Sequence, residues 1–212
     1  MEQLDLRKEL KRFYSPSAKK AEIVEVPEFQ FATLSGRIEP GAEPGNSPAF
    51  AQALEALYGI SYTLKFMAKQ RKEDPVDYPV MALEALWWVE GGEFQIGRKD
   101  NWCWQAMILQ PDLVTGGMFE EGLAQLRKKR GDGLALAQLQ LERFHEGLAV
   151  QMLHVGPYDA EPATVEKMEA FARASGYRMA GRHHEIYLGD PRRAAPEKLK
   201  TVLRHPVERL DA

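Results

Sequence analysis

The sequence predicts an α+β fold: a strand–helix–strand–strand unit written twice with pseudo-twofold symmetry, forming an antiparallel sheet with helices on one face and a central ligand groove. Three observations predict it. The same order of elements occupies about residues 23–110 and again about residues 149–208. Each copy sets a glutamate inside an apolar strand, Glu84 in Met81-Ala82-Leu83-Glu84-Ala85-Leu86-Trp87-Trp88 and Glu185 in His184-Glu185-Ile186-Tyr187-Leu188. The 212 residues are 44% hydrophobic, enough for a substantial core and too apolar for a disordered chain. The whole chain, 1–212, reads as one domain, its two repeats joined by a helical connector over 115–146.

The elements follow in order. Residues 1–14 alternate charged and apolar positions and suit a short amphipathic helix, broken by Ser15-Pro16-Ser17. Ile23 to Leu34 alternates with period two around Pro27, which predicts a strand with an edge or bulge at the proline. Gly36 to Ser47 is loop. Ser47-Pro48 opens a helix to about Gln70, with serine as N-cap and proline in the first turn. Leu54, Tyr58, Tyr62 and Phe66 recur every four residues along it, flanked by Leu57, Ser61 and Leu64, so its apolar face is broad and aromatic. Tyr78 to Val89 reads as a central strand, Trp102 to Leu109 as its partner, and Gly91-Gly92 begins the connection between them. Thr115 to Arg130 and Leu134 to Glu146 read as a helical pair split by Gly131-Asp132-Gly133. The second copy runs as a strand over Leu148 to Val155, a helix over Thr164 to Ala174, a long strand over Tyr177 to Leu188, a helical turn over Pro196 to Lys200 and a last strand over Thr201 to Glu208.

Composition excludes several classes of function. There are 28 basic against 31 acidic residues, a net charge of −3 where a nucleic-acid partner would call for a basic surface. The lone Cys103 excludes an intramolecular disulfide and a cysteine-built metal site. The N-terminus has mixed charge and no apolar core, and no run approaches a membrane span, so the expectation is a cytoplasmic protein that engages neither nucleic acid directly nor membrane.

The candidate chemistry centres on the two glutamates. A carboxylate on a buried strand is costly unless something pairs with it. Alternate residues share a face, so Glu84 goes with Leu86 and Trp88, and Glu185 with His183 and Tyr187. Under a pseudo-twofold axis the two faces merge around one groove. Tyr58, Tyr62, Phe66, Trp88, Trp102, Trp104 and Tyr187 would wall it, whereas Trp87, pointing opposite to Trp88, belongs to the core. Aromatic walls with a carboxylate at the base suit flat, lipophilic, cationic molecules. The plainer alternative is ordinary packing for each ring and a basic or aqueous partner for each glutamate. His183-His184 cannot ligate one ion from opposite faces of a strand, so no metal or cofactor is expected. Gly91-Gly92-Glu93-Phe94 matches a short cyclase signature but reads as a turn. Arg127-Lys128-Lys129-Arg130 suits a solvated helix end, and Asp190-Pro191-Arg192-Arg193 a charged surface turn. No G-x-S-x-G elbow supports a serine nucleophile, and Cys103 reads as an inert packed thiol.

His184-Glu185-Ile186-Tyr187-Leu188-Gly189-Asp190-Pro191-Arg192-Arg193, with Ala195-Pro196-Glu197-Lys198-Leu199-Lys200-Thr201 after it, resembles the C-terminal signature of stand-alone GyrI-like small-molecule-binding proteins. Tyr14 to Lys19, Ala56-Leu57-Tyr58, Tyr62 to Phe66 and Leu83 to Trp88 extend the resemblance over nearly the whole chain, and Gly189 departs from it where serine is the pattern. It implies a duplicated fold related to the effector-binding domains of multidrug-responsive transcription regulators, in which a strand-borne glutamate meets lipophilic cations in an aromatic pocket. Glu185 is the matching position. Some stand-alone members are described as hydrolases that open the cyclopropane rings of DNA-alkylating toxins. In that alternative Glu185 is the general base, with Tyr187 or His183 as proton donor. The family's gyrase-inhibitor name raises a protein partner such as gyrase, for which the sequence supplies no specific support.

Overall fold

A computed structural model describes residues 1–92, 94–99 and 101–210. Glu93, the third residue of the Gly91-Gly92-Glu93-Phe94 match, lies outside the described residues. The N-terminal amphipathic segment forms a two-residue strand β1 (Glu2–Gln3) and two single turns, α1 (Leu6–Glu9) and α2 (Lys11–Tyr14). The first repeat then runs β2 (Glu22–Arg37), α3 (Pro48–Lys69), β3 (Val76–Asp77, parallel to β1), β4 (Leu83–Val89) and β5 (Trp102–Gln110). Between the repeats lie α4 (Gly116–Arg130) and α5 (Leu134–Ala137). The second repeat runs β6 (Gln140–Val155), a 3₁₀ turn (Tyr158–Ala160), α6 (Glu161–Ala174), β7 (Tyr177–Met179), β8 (His183–Tyr187) and β9 (Lys200–Arg209).

The main sheet has the order β6-β2-β5-β4-β8-β9, and β6 also pairs with β9, so the sheet closes into a barrel. All of its pairings are antiparallel. The two copies map onto each other: β2 pairs β5 as β6 pairs β9, β4 pairs β5 as β8 pairs β9, and the copies meet at β2–β6 and β4–β8. The helices cover the outward face. α3 lays Phe50 against Trp87 and Trp104, ring centroids 5.2 Å from each, and α6 sets Met168 among Val150, Met152 and Leu203. Ser47 caps α3 as its sequence predicts, its Oγ accepting from Phe50 N at 3.1 Å.

Three readings need correction. Leu134–Glu146 is not a helix: after the single turn α5, residues from Gln140 onward join β6 and pair with β2, Gln140 opposite Thr33. The connector is therefore helical only as far as Ala137. Helix-forming leucine, alanine and glutamine lose there to the ladder that β2 offers. The long strand over 177–188 is two strands. Gly181, at φ 74°, turns the chain between them, and they pair with different stretches of β9. The apolar face of α3 is also divided: Leu57, Ile60, Ser61 and Leu64 are buried, while Tyr58, Tyr62 and Phe66 form an outward stripe, 37%, 49% and 49% exposed. Pro27 does mark an irregularity. It lies where β2 has β6 but not β5 beside it, and the inward-facing residues change phase there from Val26 to Phe29 and Phe31.

Candidate functional site

The barrel interior and the outward face each hold one of the two glutamates. On β4–β8, Glu84 stands opposite Ile186 and Glu185 opposite Ala85, so the two side chains lie on opposite faces of the sheet. The single groove expected to unite them does not form.

Glu84 belongs to a polar network inside the barrel. Tyr14, delivered by α2, donates a short hydrogen bond to Glu84 Oε1. His184 Nε2 lies 3.0 Å from Glu84 Oε2, and its Nδ1 lies 2.9 Å from Glu146 Oε1. Arg204 donates to Glu146 Oε2 at 3.0 Å, to Gln151 Oε1 at 3.1 Å and to Phe13 O at 2.6 Å. Burial opposes charge on both groups, but the two carboxylates lift the His184 imidazole to about 9, and His184 with Arg204 holds Glu146 down at about 2. An imidazolium and a guanidinium thus meet two carboxylates, which is how a buried charged set becomes tolerable. The cavity beside them, lined by Tyr14, Glu84, Glu146, His184, Arg204 and the apolar residues of β2, has about 10 Å³, room for about one water and no organic ligand.

Glu185 lies on the helix-covered face, 5% exposed. Tyr187 donates to its Oε2 at 2.6 Å, and Trp87 Nε1 donates in turn to the Tyr187 hydroxyl at 3.0 Å. His183 Nε2 is 3.2 Å from Glu185 Oε1. Phe94 stacks on the His183 ring at 5.6 Å, and His205 sits 5.9 Å beyond it, its pKa pushed down to about 4 by burial and by His183. Tyr158 meets Tyr187 edge to face at 6.0 Å. Burial and the nearby carboxylates raise the Tyr187 phenol well above its ordinary value.

A second carboxyl completes this acidic end. Glu161, the first residue of α6, is 2% exposed and its Oε1 has no hydrogen-bond partner. Burial first, and the charge of Glu185 second, push it up to about 9. Sequence reasoning missed it, because the helix was expected only from Thr164 and Glu161 fell in the loop before it. Tyr158, in the 3₁₀ turn before α6, was missed as well.

The other predicted residues fall into three groups. Trp102 and Trp104 share the outward face with Trp87, as β4–β5 pairing sets Trp104 opposite Trp87, but both are core rings, 3% and 1% exposed. Trp87 is core as expected, whereas Trp88 lies away from Glu185. Trp87 is buried yet hydrogen-bonded into the Glu185 group, and Trp88 lies on the other face under the Arg182 guanidinium, 3.8 Å from its ring centre. Tyr58 is 37% exposed on α3, its phenol pKa raised by burial first and then by Tyr62 and Asp190. Tyr62 and Phe66 continue outward from it along α3. Asp190 and Arg192 bond each other at 3.0 Å in an exposed turn. Cys103 is buried, facing away from the neighbouring tryptophans. Among the described residues no group of three or more acidic, histidine or cysteine side chains could hold a metal ion.

The GyrI-like small molecule binding domain matches residues 19–208. The chain belongs to that family. No curated protein matches it significantly. Among solved structures, an uncharacterized conserved protein from Listeria innocua is 40% identical with a TM-score of 0.86, over 97% of this chain and 100% of that one. A second Listeria innocua protein, described as a hydrolase, is 38% identical with a TM-score of 0.84, over 98% of this chain and all of that one. The C-terminal domain of EcmrR shares the fold at 13% identity and a TM-score of 0.53, over 90% and 98%. As a GyrI-like domain the chain is a small-molecule-binding module, and no helix among the described residues is long and apolar enough to cross a membrane.

Proposed function

We propose that this GyrI-like domain binds lipophilic, aromatic, cationic small molecules at Glu185, as a cytoplasmic module for sequestering or sensing drugs or toxins. The observation that carries the reading is the environment of that carboxylate. It is nearly excluded from water, and among the described residues the groups that contact it are a tyrosine hydroxyl and a histidine ring, neither a lysine nor an arginine. The rings of Tyr187, Trp87 and Tyr158 lie on the side of its donor, and Tyr58, Tyr62 and Phe66 form an exposed stripe on α3. A guest cation reaches Glu185 by displacing the Tyr187 hydroxyl, exchanging a neutral donor for a full countercharge. Titration of tetraphenylphosphonium, followed by tryptophan quenching, tests it against neutral triphenylphosphine oxide. Glu185→Gln weakens the cation about 10–100-fold and the neutral compound little. Equal loss for both removes Glu185 from the charge-pairing role.

The hydrolase description of the 38% identical Listeria protein favours a second reading. Glu185 takes a proton from water, the water oxygen bonds to a strained or electrophilic carbon, and the bond to the leaving group breaks as Tyr187 or His183 protonates it. Turnover of an electrophilic toxin that is lost in Glu185→Gln while binding persists supports it. Binding without product leaves sequestration alone.

A further inference from the structure

We propose that Glu161 and Glu185 form a proton-sharing carboxyl pair, and that uptake of a cation at Glu185 expels the shared proton from Glu161. The inference rests on the binding reading above and adds to it a residue, a linkage and a direction.

The geometry assigns the two members different states. Glu185 accepts a hydrogen bond from the Tyr187 hydroxyl at 2.6 Å and has the His183 ring 3.2 Å away. Glu161 is 2% exposed with an unpartnered Oε1, an environment that favours the neutral acid. They belong to one site. Thr201 of β9 stands directly opposite Tyr187, whose hydroxyl bonds Glu185, and Tyr158, three residues before Glu161, packs its ring 6.0 Å from that of Tyr187. Two like charges in a shared low-dielectric site cannot both be held at low cost, so the pair keeps one proton.

Among the described residues, the other groups around Glu161 do not supply the missing charge. From the 3₁₀ turn come Tyr158 and Asp159, from β8 Glu185 and Tyr187, from β9 Thr201, and from the β4–β5 connection Lys99. Lys99 is the one cation of this set, and it is engaged at 2.7 Å with Asp159. His154 of β6, 2.9 Å from Thr164, fixes the start of α6 rather than facing the carboxyl. A guest cation therefore brings the positive charge that lets Glu161 ionise. Uptake then releases a proton to solvent, and affinity rises with pH by up to about tenfold per unit over the range in which the empty site is protonated and the loaded one is not.

Calorimetric titration of tetraphenylphosphonium, which has no titrating group, in buffers of different ionisation enthalpy counts the protons released. The expected result is about one proton per cation near neutral pH, an affinity that climbs between about pH 6 and 8, and loss of both effects in Glu161→Gln. Infrared difference spectra of the ligand-free protein give a second, ligand-independent readout. Wild type shows a protonated-carboxyl C=O stretch at neutral pH that Glu161→Gln removes. A missing band, or a cation bound with no proton released, overturns the proposal while leaving cation binding intact. A band with no cation binding at all overturns the coupling together with the binding reading.

Discussion

Glu84 and Glu185 sit one residue out of phase across the β4–β8 ladder, and that single step places one carboxylate inside the barrel and the other on the helix-covered face. The two occur in similar sequence contexts, but their partners decide their chemistry. Glu84 is bonded to Tyr14 and His184 beside a cavity of water size, whereas Glu185 meets the Tyr187 hydroxyl and the His183 ring. Substituting each by glutamine separates the roles. Glu84→Gln breaks a buried charged network and costs about 3 kcal/mol in urea unfolding, with tetraphenylphosphonium affinity unchanged per folded molecule. If Glu84→Gln is as stable as wild type, the network is not holding the barrel.

The same network predicts how stability depends on pH. The folded His184 pKa is raised from 6.5 to about 9, so its contribution is complete below pH 6.5 and is lost as pH rises through 9. Glu146 is lowered from 4.5 to about 2, so its contribution is complete above pH 4.5 and is lost as pH falls through 2. Both are whole between pH 4.5 and 6.5. The difference in unfolding free energy between wild type and His184→Gln should be flat across that window and shrink by about 3 kcal/mol toward pH 9. A difference that does not change on the alkaline side excludes a charged His184.

Much of this architecture is legible in the chain. The Ser47-Pro48 cap, the Gly131 stop of α4 and the apolar strands over β4 and β5 carry local signals that packing reinforces. What is not legible is set by distant partners. The run Gln138-Leu139-Gln140-Leu141-Glu142 alternates with period two, a strand signal masked by the helix propensity of its residues. Strand phase is equally hidden: the Glu84 and Glu185 motifs each show which residues share a face, but only the register shows whether those faces coincide. Glu161 gains its character from burial in the folded chain, and nothing in Asp159-Ala160-Glu161-Pro162 announces that.

A carboxyl held near 9 opposes folding. Its raised pKa means that the unfolded chain, with an ordinary carboxyl at 4.5, is favoured progressively as pH rises through that range toward 9. Glu161→Gln keeps the shape of the neutral acid without that cost. It should stabilise the ligand-free protein by up to about 3 kcal/mol at neutral pH and change little near pH 4. A variant no more stable than wild type at pH 7 shows that Glu161 is ionised and paired in the empty site.

Gly36 tests the packing that carries β4 and β5. A Cβ there would lie 2.4 Å from Trp104 Cζ2, against the wide ring that Phe50 also touches. The indole is locked between strand and helix, so Gly36→Ala cannot be absorbed by a flexible tip. The expected cost is about 1–3 kcal/mol, read as a lower urea midpoint with unchanged slope. An unchanged midpoint means that Trp104 moves freely and that the outward face is loosely packed.

Tyr187 separates the two functional readings, because its hydroxyl stands between Trp87 and Glu185. In a binding site that hydroxyl competes with the guest for the carboxylate. Tyr187→Phe removes the competitor, and tetraphenylphosphonium should bind as tightly as in wild type or a few-fold tighter. In a hydrolase the same hydroxyl, or the charge arrangement that it holds, delivers a proton to the leaving group. Tyr187→Phe should then cut turnover of an electrophilic substrate by about 10²–10⁴-fold with its binding retained. One variant and two assays decide the matter. Tighter cation binding with no turnover in either protein leaves sequestration, a collapse of turnover at constant affinity establishes catalysis, and loss of cation affinity in Tyr187→Phe refutes displacement of the hydroxyl as the route to Glu185.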